Sequence, residues 1–269
     1  MFTKATCRFF AAALFLLSGL QLLAQTKDDS LTLDGTTTLT VGPAGAHKDS
    51  TLVVNTLTLS GGKIVTNGNT LRIKATRVVS RGGLIVSFLY KDMTPPDAPD
   101  GQRGAPGLDA GTVEIEAASL EGTLKIVLRG QNGGRGGRGQ AGVSGVAGRR
   151  GDDAADHLFD CAHGGGNGSP GTDGTPGGRG LQGGAAGNGG TLTLKGSLKT
   201  GNVGIDFDSP PGSPGMGGPG GKGGNGGPGG QGGSGSVHCG GGSSGPAGHD
   251  APDGLVGESG AEGSKGKIQ

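Results

Sequence analysis

Between residues 31 and 88 apolar residues recur with a period of two: Leu31-Thr-Leu33, Leu39-Thr-Val41, Leu57-Thr-Leu59, Leu71-Arg-Ile73 and Leu84-Ile-Val86. Gly61-Gly62, Asn67-Gly68 and Gly82-Gly83 punctuate them. The pattern predicts short strands, each with one buried face, joined by tight turns.

One unit of this pattern recurs. The first copy runs Thr70-Leu-Arg-Ile-Lys-Ala75, Val78, Gly82-Gly83, Leu84, Val86, Phe88. The second runs Thr112-Val-Glu-Ile-Glu-Ala117, Leu120, Gly122, Leu124, Ile126, Leu128, and the third Thr191-Leu-Thr-Leu-Lys195, Leu198, Gly201, Val203, Ile205, Phe207. Self-similarity of this size predicts β-solenoid-like coils that stack into one core, with a sandwich of similar hairpins as the alternative.

Each copy is followed by a glycine-rich excursion that breaks the period of two. The five blocks are 91–111, 130–151, 165–190, 212–235 and 242–266. Block 130–151 has glycine at every third position without a miss. A period of three is that of polyproline II, and a face without side chains lets another backbone approach closely. The last four blocks are of similar length and are separated by short non-repetitive links. That spacing predicts out-and-back hairpins of extended chain, each arm reaching roughly 65–80 Å at ~3.1 Å per residue. Block 212–235 carries a second glycine series at 217, 220, 223, 226, 229, 232 and 235, leaving Met216, Pro219, Lys222, Asn225, Pro228 and Gln231 on its third face. It is bare on two faces and is expected inside the bundle. Block 242–266 has one glycine face, with Ala251 replacing one member, and is expected outside.

Composition agrees with this division. Glycine makes up 66 of 269 residues and aromatics 3%, with no tryptophan, so an oily core cannot run the length of the chain. Fourteen prolines fall well short of a collagen-like content of ~15–20%. The net charge is +1, which gives no footing for a nucleic-acid partner; Arg135, Arg138, Arg149 and Arg150 read as a solvated stripe. Residues 1–24 read as a secretory leader: Lys4 and Arg8 precede the apolar run 9–17, and cleavage would leave Gln25 first. The expected organisation is a leader at 1–24, a strand-repeat region at 25–90, and 91–269 as glycine blocks interleaved with strand repeats at 111–130 and 190–209.

The run GGPGGKGGNGGPGGQGGSG at 217–235 resembles the repeats of the glycine-rich antifreeze proteins of snow fleas. The blocks also resemble the glycine-rich tip adhesins of T-even-like phages. Both are polyproline II bundle proteins, and in the phage adhesins the connecting loops bind the receptor. The resemblance implies a bundle and covers the glycine blocks alone; the leader and the strand repeats lie outside it.

Two cysteines follow the leader, Cys161 and Cys239, in the links between the second and third and between the fourth and fifth blocks. Hairpin tips would bring both to one end, and an exported chain would oxidise them to a disulfide. His157, Cys161, His163, His238 and Cys239 form an alternative metal set, at a spacing that matches no zinc finger. Asp152, Asp153, Asp156 and Asp160 are close in sequence but make no regular calcium loop. Arg150-Gly151-Asp152 spells RGD, a tripeptide that the glycine repeat itself would generate. Matches to GxGxxG carry no information in such a background, and no nucleophile elbow, phosphate loop or paired catalytic arrangement occurs.

The fold expected is mainly β plus non-regular: β-solenoid-like strand repeats carrying a glycine-rich polyproline II helix bundle. The function expected is non-enzymatic, a secreted or cell-surface structural or adhesion protein, with the periplasm as a further location. No metal or other cofactor is expected. The contact loop would be Asp152, Asp153, Asp156, His157, Leu158, Phe159, Asp160 and His163, facing a surface glycan or protein. Nucleic acid, and membrane insertion after leader removal, are not expected. The chain is expected to be a monomer, with a collagen-like trimeric stalk and an ice-binding protein as the alternatives.

Overall fold

A computed structural model describes residues 30–199 and 204–269. The leader at 1–24, and Gly201 and Val203 of the third repeat, lie outside the described residues. Among the described residues eleven strands run in the order β1 Ser30–Asp34, β2 Thr38–Thr40, β3 Asp49–Ser60, β4 Lys63–Val65, β5 Thr70–Val86, β6 Thr112–Val127, β7 Ala155–Asp156, β8 Cys161–His163, β9 Thr191–Lys195, β10 Ile205–Asp208 and β11 Lys267–Ile268. Nine of them form one sheet, ordered β1-β3-β5-β6-β9-β11, with β4 beside β5, β2 beside β4, and β10 beside β6. The pairs of this sheet are parallel, whereas a sandwich of hairpins would pair them antiparallel.

The repeat copies fall on one another in this register. Leu71 lies beside Val113 and Val113 beside Leu192; Ile73 lies beside Ile115 and Ile115 beside Leu194. Leu71, Ile73, Ile115 and Leu192 of this stack join Leu57, Leu59, Leu124 and Ile126 in one buried cluster. Charges line the outer face in complementary neighbours, Arg72 with Asp49, Lys74 with Glu116, and Lys195 with Glu114.

Two sequence expectations change here. The first copy is one long strand, β5, and does not divide into short strands at its glycines. The inward phase also shifts by one after Gly82-Gly83. Ile85 pairs with Ile126 and is fully buried, while Leu84 and Val86 are only partly so. The first copy has two glycines at this corner where the second has only Gly122. The extra residue makes a bulge, and one residue of slip in a period of two exchanges the faces. Gly82 and Gly122 both take positive φ, at 74° and 77°, and a Cβ on Gly122 would run into the Ser80 carbonyl of the neighbouring strand β5.

The glycine blocks leave from and return to the strand ends. Block 130–151 continues β6 outward, 165–190 returns to β9, 212–235 continues β10 outward, and 242–266 returns to β11. Their hydrogen bonds recur at every third residue. The Gly130, Gly133 and Gly136 N–H groups donate to the Pro210, Ser213 and Met216 carbonyls, and so on to Gly151 and Gln231, so the two outward blocks run parallel. The two return blocks are also parallel, from Gly168 to Ser243 through Gly189 to Ser264. Outward and return blocks are antiparallel: Gly190 donates to Leu128 at the base and Gly166 to Asp152 at the far end, with Gly212 to Gly187 and Gly233 to Gly166 in the next pair. Out-and-back arms are therefore present, bonded backbone to backbone within one chain.

The two glycine series of block 212–235 have separate neighbours. A Cβ at Gly218, Gly221, Gly224 or Gly227 would strike carbonyls of block 130–151; at Gly220, Gly223, Gly226 or Gly229 it would strike carbonyls of block 242–266. The block is inside, as expected, and the residues of 242–266 outside its glycine face are exposed. The same logic explains two doublets that sequence reasoning passed over. Gly133-Gly134 and Gly136-Gly137 occur where the short first block packs, with the Gly134 and Gly137 N–H groups donating to the Ala105 and Gln102 carbonyls. Farther out that block no longer reaches. There the hydroxyls of Thr175, Thr172 and Ser169 accept from the N–H groups of Val143, Val146 and Arg149, each at 2.7 Å. Side-chain oxygens take the place of a missing backbone, so these donors stay satisfied.

Ser209 marks the junction of sheet and blocks. Its buried hydroxyl lies 2.9 Å from the Leu128 carbonyl and 2.8 Å from that of Gly190, and its own carbonyl accepts from the Gly266 N–H. The four arms meet at this residue.

Candidate functional site

The two links between outward and return blocks lie at the end of the arms farthest from the sheet. In the first, β7 and β8 form a small antiparallel hairpin with Ala155 beside His163 and Asp156 beside Cys161. The His157 N–H donates to the Asp160 carbonyl at 2.8 Å and closes the turn. His157, Leu158, Phe159 and Asp160 therefore sit at the apex, and Leu158 and Phe159 are each 85% exposed. A single turn leaves these side chains no core to enter.

The second link, 236–239, lies beside the first. The Asp156 carboxylate accepts from the Ser236 hydroxyl and, at 3.3 Å, from the His238 N–H. The Ser236 N–H donates to the Cys239 carbonyl at 2.9 Å. Cys161 and Cys239 are joined in a disulfide with their Cα atoms 5.0 Å apart. Val237, at the apex of this link, is 89% exposed. The alternative metal set thus loses both thiolates to the bond between them, and among the described residues no group of three or more His, Cys, Asp or Glu could hold a metal ion.

The acidic residues of the first link divide into two kinds. Asp153 and Asp156 hold the architecture. Asp153 accepts from the Ser234 N–H at 2.7 Å and pairs with Arg150, whose guanidinium also donates to the Ser234 hydroxyl at 2.8 Å. The Ser234 N–H first, and Arg150 after it, hold the Asp153 carboxyl below the usual carboxylate range. Asp152 contributes its backbone carbonyl to the Gly166 N–H and keeps its side chain exposed, as Asp160 does at the apex. His163 is exposed, with Nδ1 3.3 Å from the Gly164 carbonyl. The tripeptide Arg150-Gly151-Asp152 lies in the straight block, with its arginine engaged by Asp153 and Ser234, and does not form a free loop.

The sign of the Asp153 shift gives a pH dependence. A carboxyl lowered in the folded state contributes fully above its unfolded value and loses that contribution as the pH falls through the folded one. Asp153→Asn should therefore melt below the parent protein at pH 6. The gap between the two should close as the pH is taken below about 3.9, the ordinary aspartate value. Parallel thermal melts across pH 2–7 check this; a gap that widens in acid would contradict it.

Sequence reasoning joined the two links by their disulfide but named only the first as a contact loop, missing the exposed Val237 and the Asp156 bonds to Ser236 and His238. The signal was present: Ser236-Val237-His238 interrupts an otherwise glycine-rich stretch, with an apolar residue between two polar ones. Neither protein-family models nor curated proteins give a match to this chain.

Proposed function

We propose that the chain is a non-enzymatic secreted or cell-surface adhesion protein, a β-solenoid base carrying a polyproline II bundle that holds a binding tip away from it. The observation that carries this reading is the pairing of three exposed apolar side chains, Leu158, Phe159 and Val237, with a disulfide that fixes the two links bearing them. Apolar side chains held out at the end of a braced arm favour contact with something else. A leader-like start and a disulfide support an oxidising location outside the cytosol.

Several features support the finer architectural terms. In-register parallel strands support the solenoid. The period of three in both sequence and hydrogen bonding supports polyproline II. Ladders closed within one chain favour the intrachain bundle over a collagen-like trimer. The outward row Met216, Pro219, Lys222, Asn225, Pro228 and Gln231 is uneven and charged, which favours adhesion over ice binding. Against catalysis stands the state of the ionisable groups: among the described residues, those displaced from ordinary values, Asp34, Asp49, Arg77, Glu121, Asp153 and Asp253, are exposed groups held by hydrogen bonds.

The test replaces His157-Leu158-Phe159-Asp160 by Gly-Ser-Asn-Gly, which leaves both cysteines in place. Beads coated with the parent protein should attach to surfaces in a panel of glycans and cell-surface proteins. Beads coated with the variant should not, while its far-UV circular dichroism stays unchanged. Equal attachment by both would overturn the role of the tip.

A further inference from the structure

The tip is both apolar and acidic, and this combination narrows its partner. From 149 to 163 the chain carries Arg149 and Arg150 against Asp152, Asp153, Asp156 and Asp160, a formal charge of −2 with the histidines neutral. Residues 234–241 of the neighbouring link add no Asp, Glu, Lys or Arg. Arg150 is spent on Asp153, and Asp156 on Ser236 and His238. Asp160 is left exposed at the apex beside Leu158 and Phe159, and the hairpin 155–163 holds Asp156 and Asp160 with no Lys or Arg, whereas Asp152 lies back in the ladder near Arg149 in the sequence.

We infer that the tip docks into a protein surface with an apolar pocket rimmed by Lys or Arg, the apex Leu158-Phe159 with Val237 filling the pocket and Asp160 meeting the rim. This rests on the adhesion reading above and names its partner class. An acidic rim repels an anionic lipid surface, and it repels a second copy of the same tip, so charge complementarity selects a basic partner. Aromatic and aliphatic anchors at the centre with charge around them are the usual division of labour in a protein interface. The disulfide and the Asp156 bonds hold the two apices together before contact, which lowers the ordering cost of binding.

The full chain after its leader, displayed on beads, is used to select dodecapeptides from a random library. Peptides enriched in Lys or Arg beside Leu, Ile, Phe or Trp are expected. Their binding should weaken about 30-fold in Phe159→Ser. It should weaken several-fold in Asp160→Asn and on raising salt from about 0.05 to about 0.5 M. Val237→Ser, on the other link, should weaken the same peptides; an unchanged affinity would remove that link from the site. Selected peptides that are acidic, or indifferent to Phe159→Ser, would overturn the inference. So would binding that depends on Phe159 but goes to phosphatidylcholine vesicles or to immobilised glycans instead of to basic peptides. Tip-dependent bead attachment without basic peptides would leave the adhesion reading standing and the basic partner refuted; no tip-dependent attachment at all would remove both.

Discussion

Gly224→Ala is expected to lower stability by about 3 kcal/mol, a drop of roughly 6–12 °C in melting temperature for a chain of this size. Gly224 sits in the inner block, where its N–H donates to the Thr175 carbonyl at 3.0 Å and its own carbonyl accepts from the Ala251 N–H at 2.9 Å. A methyl group there would fall inside 3 Å of the Val143 carbonyl oxygen and carbon, both backbone atoms. Backbone cannot rotate away as a side chain can. Relief requires the blocks to separate, and separation lengthens the hydrogen bonds on either side. Gly240→Ala is the matched control. It lies at the tip, a Cβ on it meets nothing within 4 Å, and its effect should stay within about 0.5 kcal/mol. Equal melting temperatures for the two variants would show that the blocks are not held at backbone contact.

Removing the disulfide by Cys161→Ser with Cys239→Ser should cost about 4 kcal/mol, because the bond closes a separation of 78 residues. The effect acts through the unfolded chain, which regains the freedom that the bond denies it. In the folded state Asp156, Ser236 and the flanking ladders still hold the links together. Far-UV circular dichroism at 25 °C should therefore change little while the melting temperature falls by roughly 8–16 °C. A fall equivalent to less than about 1 kcal/mol would mean that the unfolded chain is already confined in the region the bond spans.

The sequence carried the local terms of this structure clearly and the long-range ones poorly. Glycine at every third residue announced arms, and the double series at 217–235 announced the inner one, because a bare face is needed wherever a backbone neighbour lies. The doublets at Gly133-Gly134 and Gly136-Gly137 held the same information about the short first block and are readable in hindsight. The partnering of the blocks was not legible. That Gly130 bonds Pro210 depends on β6 lying beside β10, a pairing settled in the sheet and handed on through Ser209. The phase change at Ile85 was missed because Leu84-Ile85-Val86 is apolar at all three positions and alternation cannot choose between them. At the tip, Leu158 and Phe159 stood out against a glycine background, whereas Ser234, Ser236 and Asp156 act across about 80 positions of sequence.

The continuity of the ladders from sheet to tip has a mechanical consequence. Each hairpin of arms begins and ends in a strand of the base, and its hydrogen bonds run crosswise to its length, one at every third residue. A pull on the tip along the arms therefore loads those bonds in shear, and a whole ladder must yield together instead of opening one bond at a time. The cystine at the far end shares the force between both hairpins, so neither can be drawn out alone. Such a chain transmits tension as a stiff strut does, from the tip into the parallel sheet, with little stretch on the way.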